Sequence, residues 1–196
     1  MAKQNRTYKI GQCRIIAGKW RGRKLDVPDV EGLRPTPDRV RETVFNWLQA
    51  NIGDSRCLDL FAGCGALSFE AASRGASNVV MVELNAVAAK QLRENCTSLS
   101  ATQCRVEKTT AQQFLSTNTE QYDIVFIDPP YQANLWTEIA LQLVSSNALS
   151  DDAIVYLECP SKADLPELPS HWQLIKEKKA GNIRYCLFQN NVGESA

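Results

Sequence analysis

From Ser55 onward the hydrophobic positions alternate between two rhythms. Short apolar runs, "RCLDLF", "NVVMVEL", "TQCRVEK", "YDIVFID" and "AIVYLEC", read as strands. Between them lie "ALSFEAASRGA", "NAVAAKQLRENCTSL", "AQQFLSTN" and "NLWTEIALQLVSS", whose apolar positions recur at helical spacing. Gly75 stands where the first of these helices should stop. Strands that are apolar throughout and alternate with helices predict a mostly parallel sheet covered on both faces. The last part breaks the rhythm: "WQLIKEKKAGNIRYCLFQN" gives two strand-like runs around Ala180-Gly181-Asn182, a hairpin that sets one strand antiparallel to the rest.

The first 50 residues follow another pattern. "CRIIAGKWRGRKLDVP" alternates around two glycines and predicts a hairpin. In "GLRPTPDRVRETVFNWLQANI", Thr36 suits a helix N-cap with Pro37 at the first helical position, and Val40, Val44, Trp47 and Leu48 form one apolar face. The chain therefore divides into an N-terminal hairpin and helix, 1–50, and an α/β domain, 51–196. Its 196 residues suffice for one sizeable core.

Charge sharpens this division. The net charge is zero, yet through Ala50 there are eleven basic and five acidic residues, and beyond it eleven basic and seventeen acidic. A positive end on an acidic body is the footprint of a nucleic-acid partner. Arg14, Lys19, Arg21, Arg23, Lys24, Arg34, Arg39 and Arg41 are the candidate contacts, and Trp20 either stacks on a base or packs the hairpin. No apolar run approaches the roughly 20 residues of a membrane helix, and the N-terminus has no apolar core of a secretory signal. A cytoplasmic protein is expected. Seven cysteines without paired spacing, and a single histidine, His171, argue for buried thiols rather than a metal centre.

In sheets of this kind ligands bind beyond the carboxyl ends of the strands, so the residues that follow each strand carry the chemistry. After the first strand of the α/β part, "DLFAGCGA" places Gly63 and Gly65 before a helix, where backbone can approach a ligand closely. A dinucleotide fingerprint would place a third glycine at position 68, where Ser68 stands. Asp59 precedes the loop; its carboxylate repels a pyrophosphate and suits a cationic ligand. Glu83, 24 residues further on, ends the next strand and can accept both hydroxyls of a ribose. These four residues fit S-adenosylmethionine better than a dinucleotide.

"YDIVFIDPPYQAN" then ends a core strand in Asp128-Pro129-Pro130-Tyr131. Two prolines remove two backbone donors. An exocyclic base amine is a poor nucleophile, because its lone pair is delocalised into the ring. It becomes reactive when its N–H bonds point at acceptors that favour a tetrahedral nitrogen. The Asp128 carboxylate and the Pro129 carbonyl are such acceptors, and Tyr131 offers a face for base stacking, worth about 1–3 kcal/mol.

Several segments, in order, resemble the RsmD-type methyltransferases: "RIIAGKWRGRKL", "GLRPTPDRVRETVFNWL", "CLDLFAGCGALSFEAASRGA", "FIDPPY" and "KAGNIRYCLFQ". The resemblance implies a Rossmann-like class I methyltransferase sheet acting with S-adenosylmethionine, and without a metal, on the N2 amine of a guanine in 16S ribosomal RNA. It implies catalysis by Asp128, Pro129, Pro130 and Tyr131, and a cofactor site of Asp59, Phe61, Gly63, Gly65, Glu83, Leu84, Thr110 and Ala111. Thr110 stands where related enzymes often carry an acid toward the adenine. The expected partner is ribosomal RNA in the small subunit or its assembly intermediate, met by a monomer. The alternatives are an adenine-N6 methyltransferase acting on DNA or RNA, a Rossmann oxidoreductase, and an RNA-binding protein without turnover.

Overall fold

The computed structural model describes residues 11–31, 33 and 35–191. A two-stranded antiparallel hairpin, β1 (Gly11–Arg14) and β2 (Lys24–Val27), is followed by α1 (Asp38–Trp47). Then come β3 (Arg56–Asp59), α2 (Ala66–Ser73), β4 (Asn78–Val82), α3 (Ala86–Leu99), β5 (Cys104–Glu107), α4 (Ala111–Thr117), β6 (Tyr122–Ile127), α5 (Trp136–Ser145), β7 (Leu149–Pro160), β8 (Trp172–Ala180) and β9 (Ile183–Asn190). The seven-stranded sheet has the order β5-β4-β3-β6-β7-β9-β8. β3 to β7 pair in parallel, and β9 runs antiparallel to both β7 and β8.

The strand pattern has a direct cause. Val79, Val80, Met81, Ile124, Val125, Phe126 and Ile127 are all buried, because helices cover both faces. One apolar core takes α1, α2, α3 and the hairpin residues Cys13, Ile15, Trp20, Leu25 and Val27. The other takes α4 and α5. The chain order reverses at β3, which lies between β4 and β6, so the switch point falls where β3 and β6 end side by side.

Helix ends follow local chemistry, with one difference from expectation. Asn85 caps α3, its side chain accepting from the Val87 and Ala88 N–H groups. α2 stops at Gly75, whose φ of +108° a side-chain-bearing residue would resist. At α1 the start lies one residue later than expected. Pro37 is the cap position, Thr36 gives no side-chain cap, and its carbonyl instead accepts from Arg41 Nε at 3.1 Å. The first turn is left without a side-chain cap, and the Arg41 guanidinium ties the Thr36 carbonyl just ahead of the helix.

The hairpin is bound to the sheet domain through one acid. Glu70 on α2 is fully buried. It accepts from the Ile16 and Ala17 backbone N–H groups at 2.8 and 3.0 Å, pairs with Arg74 at 2.7 Å, and lies 3.6 Å from Arg41. Ser73 adds contacts to Ala17 and Trp20, and Asn95 on α3 bonds the Asp26 backbone in both directions. All seven cysteines are free thiols. No helix among the described residues is long and apolar enough to cross a membrane.

Candidate active site

Four adjacent strands end in carboxylates along one edge of the sheet: Glu83 after β4, Asp59 in β3, Asp128 after β6 and Glu158 in β7. Among the described residues none of the four has a salt-bridge partner. A row of acids left without cations is electrostatically costly unless a cationic ligand completes it.

The glycine loop is built from this edge. Asp59 is buried; it accepts from Ser68 Oγ at 2.5 Å and from the Phe61 N–H at 3.3 Å. Ser68, which takes the position of a third glycine, is thus the residue that orients Asp59. Burial pushes the Asp59 carboxyl up to about 6, against the lowering effect of these two bonds. Glu83 accepts from the Gly63 N–H at 2.8 Å and the Asn85 N–H at 2.6 Å, which joins the loop to the end of β4. Each carboxylate oxygen retains acceptor capacity for a diol. Burial raises Glu83 as well, opposed by its backbone donors. Gly63 and Gly65 have φ of +55° and +79°, and a Cβ on Gly65 would lie 2.6 Å from the Phe69 ring. The tight turn into α2 therefore requires glycine at position 65.

The flanks of this pocket are consistent in chemistry. Leu84, beside Glu83, is 65% exposed and offers an apolar face at the end of β4. Thr110 caps α4 by accepting from the Gln113 N–H at 3.1 Å, and Ala111 is buried behind it. The threonine is engaged with its own helix, and Phe61 is half-buried at the loop.

At the target end, Asp128 is half-buried and accepts no hydrogen bond from the described residues. Pro129 and Pro130 have no N–H to offer it, so the carboxylate stays available. Desolvation first, then the charges of Glu158 and Asp59, hold its carboxyl well above the usual range. Tyr131 opens a short 3-10 turn (Tyr131–Ala133) and stays 37% exposed. Its hydroxyl donates to Glu158 at 3.0 Å, and its ring centroid is 6.0 Å from that of Trp136.

Sequence reasoning passed over Glu158, because it lies within an apolar strand run. The signal was present: an acid in "AIVYLEC" has no solvated face to occupy. The same holds for Glu70 in "ALSFEAAS".

The basic residues divide. Arg14, Lys19, Arg21, Arg23, Lys24 and Arg39 are exposed on the hairpin and the start of α1. Arg34 lies outside the described residues. Arg41 is a correction: it is fully buried, donating to Thr36 and Arg14 carbonyls and to Asp38, so its guanidinium is not available to a phosphate. Trp20 is buried too, and packs the hairpin rather than a base.

Residues 13–189 match the family described as Conserved hypothetical protein 95. Ribosomal RNA small subunit methyltransferase D of Escherichia coli is 46% identical over 186 residues, covering 94% of each chain. The solved structure of a putative methyltransferase from Escherichia coli superposes with a TM-score of 0.87 at 44% identity, over 92% of this chain and 99% of that one. An RNA methyltransferase from Salinibacter ruber, solved with S-adenosyl-L-homocysteine, is alike in fold alone: TM-score 0.63 at 14% identity, over 82% of this chain and 96% of that one. With a family match along nearly the whole chain and a relative this similar from end to end, the chain belongs to the RsmD family of ribosomal RNA small subunit methyltransferases.

Proposed function

We propose that this protein transfers a methyl group from S-adenosylmethionine to the exocyclic N2 amine of a guanine in 16S ribosomal RNA. The observation that carries the reading is Asp128: a carboxylate with no protein donor, followed by two prolines and a stacking ring, next to a glycine loop bordered by unpaired acids. Family membership supports RNA of the small subunit as the substrate.

S-adenosylmethionine, when bound, supplies an electrophilic methyl group. Asp59 and the Gly63–Gly65 loop suit its cationic methionine end, Glu83 its ribose, and Leu84 with Ala111 the apolar faces of its adenine. The residues of the chain do the rest. Tyr131 stacks on the base and fixes its plane. Asp128 and the Pro129 carbonyl each accept one N–H of the amine, so that the nitrogen lone pair turns out of conjugation toward the methyl. Asp128, whose carboxyl is held above the usual range, then takes the proton that the nitrogen must lose. Positioning and fixed charge supply most of the acceleration. The base must be unpaired or turned out of its helix to reach this edge. Arg14, Lys19, Arg21, Arg23, Lys24 and Arg39 hold the surrounding phosphates, and the enzyme acts as a monomer on the subunit or its assembly intermediate.

The test is transfer of tritiated methyl to small subunits from cells lacking the enzyme, followed by nucleoside digestion. N2-methylguanosine is the expected product. Label on adenine N6 would overturn the guanine assignment, and no transfer at all would overturn the reaction.

A further inference from the structure

Glu158 has no part in the reading above, yet it is the most constrained acid at the target end. It is 5% exposed and lies one residue beyond the Ile127–Leu157 pair of β6 and β7, level with Asp128. Both oxygens are taken by phenols: Oε1 accepts from Tyr131 at 3.0 Å and Oε2 from Tyr156 at 2.8 Å. Its backbone carbonyl accepts from Trp136 Nε1 at 2.7 Å. Tyr156 is fully buried and packs edge-on against Phe126 at 6.0 Å, so it anchors this chain of contacts in the core.

We propose that Glu158 is a positioning residue for methyl transfer: it connects the buried Tyr156 to the exposed Tyr131 and so fixes the ring on which the target base stacks. The proposal rests on the amine-methylation reading. The backbone around Tyr131 does little to orient it. The turn after the prolines has one internal hydrogen bond, Ala133 N–H to the Pro130 carbonyl at 2.9 Å. The hydroxyl bond to Glu158 and the edge of Trp136 therefore hold the ring. A carboxylate is the fitting group, because it accepts a charge-assisted bond from each of two hydroxyls at once; an amide has one acceptor oxygen and keeps the second phenol only as an acceptor, in weaker neutral bonds.

The position carries a second consequence. The charged groups facing Asp128 are Glu158 and Asp59, and those facing Glu158 are Asp128 with the two phenols. The Glu158 charge makes Asp128 a better proton acceptor. Removing it lets Asp128 lose its proton at lower pH, which shifts the acid limb of the kcat profile downward.

The experiment uses the full chain, tritiated S-adenosylmethionine and small subunits from cells lacking the enzyme. Tyr131→Phe, Glu158→Gln and the double variant are compared at the pH plateau. Each single variant should lower kcat about ten-fold, as loss of a charge-assisted hydrogen bond does. The double variant should be no slower than the worse single by more than about two-fold. Calorimetric binding of S-adenosylhomocysteine should be unchanged, and the acid limb should move down in Glu158→Gln but not in Tyr131→Phe. Wild-type kcat in either single variant, or losses that multiply to about 100-fold, would overturn the proposal. If Glu158→Gln does not fold, Tyr131→Phe still decides, because it keeps the ring and deletes only the hydroxyl. Absence of transfer by the unaltered enzyme would overturn the underlying reaction, whereas an active enzyme with indifferent variants overturns only the role of Glu158.

Discussion

Replacing Arg41 with alanine should cost stability, whereas replacing Arg39 should cost RNA binding. The two lie two residues apart in one helix and have opposite surroundings. Arg41 is fully buried and donates to the Thr36 carbonyl at 3.1 Å, the Arg14 carbonyl at 2.9 Å and Asp38 at 2.6 Å, with Glu70 at 3.6 Å. Removing one partner of a buried ion pair costs about 3–5 kcal/mol. The lower end applies here: Glu70 keeps Arg74 and two backbone donors, and the half-exposed Asp38 returns to water. About 3 kcal/mol in a chain of this size lowers Tm by roughly 6–12 °C. Arg39 is exposed, and its replacement should change stability by no more than about 0.5 kcal/mol. Scanning calorimetry and RNA titration of both variants give the comparison. If Arg41→Ala melted within about 2 °C of the unaltered protein and lost RNA affinity as Arg39→Ala does, the structural role assigned to Arg41 would be wrong.

Four further outcomes are expected. Asp59, with its carboxyl raised to about 6 by burial, favours the folded state fully below its unfolded value near 4 and loses that contribution as pH rises through 6. A cationic ligand favours the carboxylate, so S-adenosylmethionine affinity should fall up to about ten-fold per pH unit below 6, with proton uptake on release. Calorimetry in buffers of different ionisation enthalpy measures this, and an undiminished step in Asp59→Asn would assign it elsewhere. Gly65→Ala places a Cβ 2.6 Å from Phe69 and 2.7 Å from Leu92 at a φ of +79°. It should lose about 2–4 kcal/mol together with cofactor binding, and an unaltered Tm would contradict the turn geometry. Asp128→Ala should abolish methyl transfer while calorimetric binding of S-adenosylhomocysteine persists; retention of near-normal rates would remove Asp128 from the chemistry. Arg21→Ala with Lys24→Ala should weaken RNA binding and reduce the slope of log affinity against log salt by about 1.4, and an unchanged slope would mean that neither residue meets a phosphate.

The central strands were legible because burial on both faces writes them as apolar runs, as in "YDIVFI". The glycine loop was legible for a related reason: the ends of these strands are where backbone leaves the core, and Gly63, Gly65 and Glu83 stand at those ends. Side chains whose meaning depends on a distant partner were not legible. Arg41 reads locally as one more cation in a basic segment, yet it is buried between the Arg14 carbonyl, 27 residues before it, and Glu70, 29 residues after it. Thr36 has the composition of a cap, but the helix starts one residue later, with Pro37 in the cap position. Glu158 is the reverse case. Its neighbours announced a buried strand, and the acid within it went unread because its partners, Tyr131 and Tyr156, look like core aromatics.

The attachment of the hairpin bears on the order in which the molecule is made. Its backbone groups at Ile16 and Ala17 wait for Glu70, Trp20 waits for Ser73, and Asp26 waits for Asn95, partners 53 to 69 residues later in the chain. A two-stranded ribbon is marginal by itself in water. During synthesis the basic surface therefore emerges first and closes late, after α2 and α3 have been added, because long loops must be closed before such contacts stabilise anything. A partly made chain would carry the positive charges without the fixed geometry they have in the finished fold. The fixed geometry of the basic surface is in this way made to depend on completion of the same helices that flank the glycine loop.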